Sequence, residues 1–282
     1  MPSVVFPRER LLHVVKTLPA APQILARLGQ MRLDPIADLN DVTALLRCDA
    51  GLTARIIRIA NTPAYTVGEP FASIEQALAR IGFGEIYRIA GFAAVAQMTN
   101  LNLGEYLITG ARLRENSLLT ALLMEALAPS AGVDPQEAYS AGLLRSIGKI
   151  AVDRFISDSR IREAFDPAAG RTLEEWERTR AGFTSGEAAA FVLGEWRFPP
   201  EILTAIAAHF APDSAQPDPR LAQLLNLAAG TADSLGFGLP GELAYWGDAA
   251  ERRTALGLAE AQVTEFAESA MHRFSGLRAA VA

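Results

Sequence analysis

Helix-start signals recur along almost the whole chain, and each is followed by apolar residues spaced three and four apart. In a capping box, a Ser or Thr side chain and a Glu or Gln three residues later satisfy two of the free N–H groups at a helix start. The pattern occurs at residues 73–76, 172–175 and 184–187, and Asp134 followed by Pro135 opens a further helix. No alternating pattern typical of strands competes with these segments. The sequence therefore predicts an all-α fold of about a dozen helices.

Proline and glycine residues mark where these helices should end. Gly82 is expected to supply a left-handed C-terminal stop, whereas the helix that begins at Pro135 is expected to continue to about Phe155. Further ends are predicted at five prolines, since proline cannot continue a hydrogen-bonded helix: Pro19, Pro63, Pro129, Pro199 and Pro212. The loosest stretches, 212–219 and the glycine-rich 236–241, are too short for domain linkers, and we interpret the second as a plain turn. One continuous helical body is expected.

Composition and charge limit the cellular compartment in which we expect this protein and the kinds of partner that it can bind. The net charge of −6 and the pI near 5.2 oppose binding to a phosphate backbone. The single cysteine, Cys48, fits a reducing compartment. Met1 to Phe6 lacks the basic region of a secretory signal, and no apolar run approaches the roughly 18 residues that cross a bilayer. We therefore expect a cytoplasmic protein that binds neither nucleic acid nor membrane.

Several short motifs, taken in order, point to one family. The first half contains Leu18-Pro19, Asp34-Pro35, RCDAGLTARIIRIANTPAY at 47–65 and SIEQALARIG at 73–82. The second half contains AGLLRSIGKIAV at 141–152, TSGEAAAFVLGEW at 184–196 and PPEILTAIAAHFAP at 199–212. In this order and spacing they closely resemble the HD-related output domain (HDOD) family, over about two thirds of the chain.

The resemblance implies a fold, a division into domains and a class of function. The fold would be a multi-helix bundle of the HD type. Residues 7–212 would form the HDOD domain, with an N-terminal helical lobe over about 7–100 and an HD-like lobe over about 101–212. Residues 213–282 would form a C-terminal helical extension packed on the same body. Stand-alone members of the family imply a bacterial signal-transduction protein.

The family is related to the HD phosphohydrolases, in which histidines and a His-Asp pair hold metal ions. The resemblance implies that the His-Asp pair would lie where this chain has Arg145 and Ser146, and that two further histidines would lie at Asn116 and Ser185. Only His209 keeps a side chain that can bind a metal. Arginine has a permanent positive charge and no lone pair, so it cannot be a ligand. We therefore expect no metal, no cofactor and no catalysis.

The residues themselves leave open what occupies this region instead. His209 lies on an apolar helix face and is interpreted first as a core histidine bonded to a backbone carbonyl. Arg145 and Lys149 lie four apart and share a helix face, so with His209 they could bind an anion. The favoured alternative is an internal salt bridge to Glu187 or Asp153, because a buried arginine needs a carboxylate partner.

Three functions from different classes follow from these observations. The favoured one is a non-catalytic regulatory protein that signals by binding an unidentified signalling protein, with a homo-oligomer as a further option. The first alternative is a metal-dependent phosphohydrolase that acts on nucleotides, for which the ligands are missing. The second is a small-molecule anion receptor in the old metal cleft, with Arg145, Lys149 and His209 as its contacts.

Overall fold

The fold follows from a computed structural model. It describes residues 7–19, 21–33, 38–63, 65, 68–100, 102–157 and 163–279. The Asp34-Pro35 motif and the segment Met1 to Phe6 lie outside the described residues, so the structure does not test the expectations that concern them.

The described residues form a succession of α-helices. They are α1 (Arg8–Thr17), α2 (Ala21–Leu33), α3 (Leu39–Arg47), α4 (Ala50–Ala60), α5 (Ile74–Met98), α6 (Gly110–Leu127), α7 (Pro135–Leu144), α8 (Ile147–Ser157), α9 (Leu173–Ala181), α10 (Ser185–Glu195), α11 (Pro200–Ala208), α12 (Arg220–Ala232), α13 (Ala249–Leu256) and α14 (Glu260–Ala279). Short helical turns lie at Pro167–Ala169, Pro212–Ser214, Asp233–Phe237 and Leu243–Tyr245. A single isolated bridge, Leu103 to Ile108, is the nearest approach to a strand within this part of the chain. The all-α prediction is confirmed.

The predicted helix starts are confirmed at their caps. The side chains of Ser73 and Asp134 accept backbone N–H groups at the starts of α5 and α7. Thr172 and Thr184 form complete capping boxes before α9 and α10. Gly82 has the expected left-handed backbone, with φ of 83°, and divides α5 into two helical parts.

The helix that begins at Pro135 ends earlier than predicted. It stops at Leu144, and α8 begins only at Ile147. The reason is tertiary packing: α7 packs on α6, whereas α8 packs on α10 and α1. A Cβ on Gly148 would lie 1.8 Å from the carbonyl oxygen of Ser185, so only glycine lets α8 approach α10 this closely. The break places Arg145 at the junction between the two helices.

Helix α6 lies at the centre of the molecule. It packs on α7, α12 and α14, and α10 connects α8 to α11. At the N-terminal side, α2 and α4 pack on α5. The buried side chains of these helices join in one contiguous core. Helices α12 and α14 thus contact the same body as the preceding helices, while the proposed boundaries between lobes stay a prediction. None of the described helices has the length and apolar character that a membrane span requires.

Candidate functional site

A cluster of buried charged side chains lies between α7, α8 and the segment after α12. Arg145 is 3% exposed, Lys149 2% and Glu242 fully buried. Charged residues are rarely buried to this degree unless they are paired. Arg145 donates from Nη1 to Oε1 of Glu242 at 3.1 Å and from Nη2 to Oε2 at 2.8 Å. This is the two-pronged geometry in which a guanidinium binds a carboxylate most strongly.

Lys149 completes the cluster from the first turn of α8. Its Nζ lies 3.2 Å from Oε1 of Glu242. Nζ also lies 5.3 Å from the ring centre of Tyr106 and 5.4 Å from that of Phe210, distances at which cation–π attraction acts. The Trp246 ring lies 5.5 Å from Cζ of Arg145 and 5.8 Å from the Phe210 ring, centre to centre. Aromatic walls therefore enclose both cations.

Glu242 lies on residues 236–246, which connect the turn after α12 to the region before α13; we call this segment the 236–246 loop. Gly241, which precedes Glu242, has a φ of 80°, and a Cβ there would lie 2.4 Å from the Phe165 ring. Both observations require glycine at this position. The tight backbone turns the next side chain inward, into the space between α7 and α8.

Asparagine side chains bind the 236–246 loop to the helices below it. Asn116 on α6 accepts a hydrogen bond from Nη2 of Arg145 at 2.7 Å and donates to the carbonyl of Phe237 at 2.7 Å. Asn226 on α12 donates to the carbonyls of His209 at 2.8 Å and Tyr245 at 2.9 Å. These residues therefore hold the loop over the charged cluster.

His209 borders the cluster as an uncharged group. It is 3% exposed, and its Nδ1 lies 2.7 Å from the carbonyl oxygen of Ile206, which makes Nδ1 the donor. Nε2, at 3.5 Å from Nη1 of Arg145, is then left as an acceptor. Burial, aided by the neighbouring Arg145 charge, lowers the pKa of His209 to about 3. In this form His209 supports Arg145 and donates nothing to an anion.

The charge of Glu242 is fixed by its partners. Burial alone would raise the pKa of its carboxyl group, but Arg145 and Lys149 outweigh burial and lower the pKa to about 2. In the described part of the chain, these two cations form ion pairs with Glu242 and with no second carboxylate. The nearby buried Glu177 is engaged elsewhere, since it accepts hydrogen bonds from the Tyr106 hydroxyl and the Ser185 N–H. The cluster thus has more positive than negative charge.

The structure brings together three of the five residues singled out at the old ligand positions. Asn116 and His209 each contact the guanidinium of Arg145 in the cluster. Ser146 instead faces a small cavity between α5, α6 and α8, and its Oγ has no hydrogen-bond partner among the described residues. Ser185 lies at the start of α10, where its N–H donates to Glu177.

The predicted salt bridge exists, but both predicted partners were wrong. Glu187 caps α10 and pairs at the surface with Arg178, at 3.0 Å. Asp153 accepts the N–H of Glu105 at 2.9 Å. The actual partner, Glu242, is 97 residues from Arg145 in sequence. The only sequence signal for it is a charged residue directly after the apolar, glycine-rich 236–241 stretch, whose pattern predicts a plain turn.

The side chains of this region do not fit a metal of the HD type. Arg145 has no lone pair to offer, and Glu242 and the Asn116 amide oxygen are both bonded to its guanidinium. Among the described residues, no group of three or more His, Cys, Asp or Glu side chains could hold a metal ion. We therefore derive no reaction step through a metal.

Comparison with known proteins decides the family. The HDOD domain profile matches residues 18–212, more than half of the chain. The chain belongs to the HDOD family. No curated protein matches this HDOD chain.

Solved structures share the HDOD fold over nearly the whole chain. An HDOD domain protein with unknown function from Geobacter sulfurreducens is 20% identical, with a TM-score of 0.68 and 97% of each chain covered. A protein from Shewanella amazonensis SB2B, provisionally named a phosphohydrolase, is 24% identical, with a TM-score of 0.66 and coverage of 97% of this chain and 98% of its own. A protein from Marinobacter aquaeolei VT8, provisionally named a signal transduction protein, is 20% identical, with a TM-score of 0.69 and coverage of 97% and 64%. At these identities the likeness shows the fold alone.

Proposed function

We propose that this HDOD protein is a non-catalytic signal-transduction protein that acts by binding a protein partner. The observation that carries the proposal is the buried Arg145–Glu242 ion pair at the place where the resemblance puts the metal ligands. The provisional name of the Marinobacter protein agrees with a role in signalling. The provisional name of the Shewanella protein favours a phosphohydrolase, which is the alternative to be tested.

The chemistry of the cluster argues against hydrolysis. A metal-dependent phosphohydrolase needs lone-pair donors that bind the metal and a position for an activated water. Here the donor positions hold a guanidinium and an amide, and the carboxylate is bonded to two cations. The 236–246 loop closes the region with aromatic side chains. Such an arrangement favours a cluster that stabilises one conformation of the chain over a cluster that activates a water molecule.

A surface for a partner adjoins the same loop. Leu107 and Leu243 are 66% and 74% exposed, and Leu235 is 37% exposed directly before the loop. Leu107 also lines a groove of about 440 Å³ together with Leu239 and Pro240 of the loop. Exposed apolar residues beside a groove are typical of protein interaction sites, and here Leu107 lines the groove while Leu235 and Leu243 belong to the segment that forms its other wall or directly precedes it. A partner seated here would sense the position of the loop.

The absence of metal chemistry can be tested on the purified protein. We expect less than about 0.1 equivalent of iron, manganese or zinc after expression in metal-supplemented medium. We also expect no hydrolysis of phosphomonoesters, nucleotides or cyclic dinucleotides. Stoichiometric metal together with turnover that is lost on chelation would establish the phosphohydrolase alternative instead.

The binding surface needs a separate test in the native host. Cross-linking should capture the same partner protein with the parent and with Leu39→Asp, since Leu39 is 56% exposed on α3, away from the loop. Leu107→Asp and Leu243→Asp should lose that partner while they keep the parent's thermal stability. A partner captured equally by all four proteins would contradict the proposed surface.

A further inference from the structure

We propose that the Arg145–Lys149 cluster is an anion-binding site whose present occupant is the chain's own Glu242 carboxylate, and that a phosphate group displaces this carboxylate. The inference rests on the proposed non-catalytic function, because a resident metal would leave no room for it. It adds an input to that function: a phosphate-bearing ligand that changes the position of the 236–246 loop.

The charges in the cluster favour a ligand with more than one negative charge. Arg145 and Lys149 are almost completely buried, and Glu242 gives them one negative charge between them. A buried charge without full compensation destabilises a protein. A phosphomonoester has a charge of about −1.5 to −2 near pH 7 and therefore balances two cations better than one carboxylate does.

The donors in the cluster are arranged as a phosphate requires. Nη1 and Nη2 of Arg145 already hold two carboxylate oxygens side by side, and a phosphate presents two of its oxygens in the same way. Lys149 Nζ has no well-aligned hydrogen-bond acceptor within the described residues, although it lies near Glu242. A third phosphate oxygen supplies that acceptor. The aromatic walls keep water away and so strengthen each of these contacts.

The 236–246 loop can move without disruption of the helices. Left-handed glycines lie at its first residue, Gly236, with φ of 87°, and directly after its last, at Gly247, with φ of 60°. Among the described residues, side-chain hydrogen bonds from Asn116, Arg112 and Asn226 hold its backbone at the carbonyls of Phe237, Gly238 and Tyr245, and these bonds must break when the loop moves. Glycines at both ends allow the loop to swing as a unit about its termini.

The groove outside the loop gives the ligand a route to the cluster. Arg112 and Asp233 both lie in its wall, beside Gly236 and Gly238 of the loop, and burial raises the pKa of the Asp233 carboxyl group. A phosphate held there would be close to the hinge and would meet a cation before it displaces Glu242. Once Glu242 leaves, the loop exposes its buried Leu239 and Trp246 next to the leucines already at the surface. Ligand binding would in this way change the proposed partner surface.

Titration with inorganic phosphate, a nucleoside monophosphate and the matching nucleoside tests the site, with calorimetry and thermal melting at constant ionic strength. We expect saturable binding of one or both phosphates by the parent, and no binding of the nucleoside. Glu242→Gln should melt at a lower temperature without phosphate and bind phosphate about ten-fold more tightly, because no internal carboxylate competes. Binding of inorganic phosphate would identify free phosphate as the ligand, whereas binding of the nucleotide alone would identify a nucleotide as the source of the phosphate group.

Two further variants keep the test decisive. Lys149→Gln leaves the Arg145–Glu242 pair balanced, so it should fold and yet lose phosphate binding. Glu187→Gln removes an exposed carboxylate on α10 and should bind phosphate as the parent does. Absence of saturable binding to the parent overturns the inference, even if Glu242→Gln binds, since Glu242 would then be a permanent partner. Equal phosphate binding by the parent and Lys149→Gln overturns the inference as well. The proposed non-catalytic function is tested separately, by the metal content and the hydrolytic activity of the purified protein.

Discussion

Arg145 is a permanently charged side chain that is almost completely buried, at a position where the family resemblance implies a metal ligand. Its burial and its neutralisation by a carboxylate were predictable, because a permanent charge inside a helical core requires an opposite charge. The identity of that carboxylate was not predictable. Asp153 is near Arg145 in sequence, and Glu187 follows a residue that the family resemblance places near Arg145. Glu242 is 97 residues from Arg145 in sequence and meets it only in the folded protein.

Removal of the Arg145 side chain should destabilise the protein strongly. Arg145→Ala removes the guanidinium that donates to both carboxylate oxygens of Glu242 and to the amide oxygen of Asn116, so buried acceptors lose their partners, and we expect a loss of about 3–5 kcal/mol in the free energy of unfolding. Arg178→Ala removes an exposed pair and should cost about 0.5 kcal/mol or less. Urea denaturation measures both variants. If Arg145→Ala matched the parent, the buried pair would contribute nothing to stability.

Asp153 should make the protein less stable as the pH rises. Burial raises the pKa of its carboxyl group to about 6, above the unfolded value near 3.9. The native state thus favours the protonated acid, and the stability present below about pH 4 is lost as the pH rises through 6. Asp153→Asn stays neutral and keeps an oxygen for the Glu105 N–H. It should equal the parent near pH 4 and exceed it by about 1–2 kcal/mol at pH 8. Equal stability of the two proteins at pH 8 would contradict the raised pKa.

At the scale of elements, local sequence determined the helix starts and tertiary packing determined the break between α7 and α8. The capping residues Ser73, Thr172 and Thr184 act on their own helices, so their pattern sufficed. The break at Arg145 and Ser146 has no proline, and Ser146, although of a residue type that often caps helices, has a hydroxyl group with no hydrogen-bond partner among the described residues. It depends on the separate neighbours of α7 and α8, which no local pattern contains.

The close approach of α8 to α10 should depend on Gly148. In Gly148→Ala the new Cβ would meet the backbone of Ser185 and Ala189, and backbone cannot move aside as a flexible side chain can. We expect a loss of about 3 kcal/mol in stability. Gly84→Ala on α5 is the matched control, because nothing lies within 4 Å of its Cβ, and it should be neutral or stabilising by up to about 1 kcal/mol. Thermal denaturation measures the stability of both variants. Equal stability of Gly148→Ala and Gly84→Ala would show that α8 and α10 can move apart without cost, and it would contradict this prediction.

For the whole molecule, the all-α class and the family were predictable because they depend on many short signals spread over the chain. The role of the 236–246 loop was not predictable. A turn pattern specifies the backbone geometry of the turn, but it does not specify which distant residue the next side chain contacts. The same limit applies to the polar contacts of Asn116 and Asn226, which join distant segments.

Acid should destabilise the whole protein partly through His209. Its native pKa of about 3 lies below the unfolded value near 6.5, so the unfolded state binds an extra proton between these pH values. The stability present above pH 6.5 is lost as the pH falls, at up to about 1.4 kcal/mol per pH unit. His209→Asn keeps a donor for Ile206 and should flatten this decline between pH 6 and 4, whereas the exposed His272→Asn should follow the parent. Denaturation series at several pH values test this, and parallel curves for all three proteins would refute it.

The Arg145–Glu242 pair also bears on how the chain is made. During synthesis the HDOD-matched residues 18–212 leave the ribosome before Glu242 does. Until then Arg145 and Lys149 lack their carboxylate, and the interior around them cannot close without a large electrostatic penalty. Folding of the cleft region must therefore wait for a contact that spans 97 residues. The last quarter of the chain, residues 213–282 of 282, is in this sense a late-acting part of the nascent protein's core, and a fragment that ends at residue 212 should remain partly open and prone to aggregation.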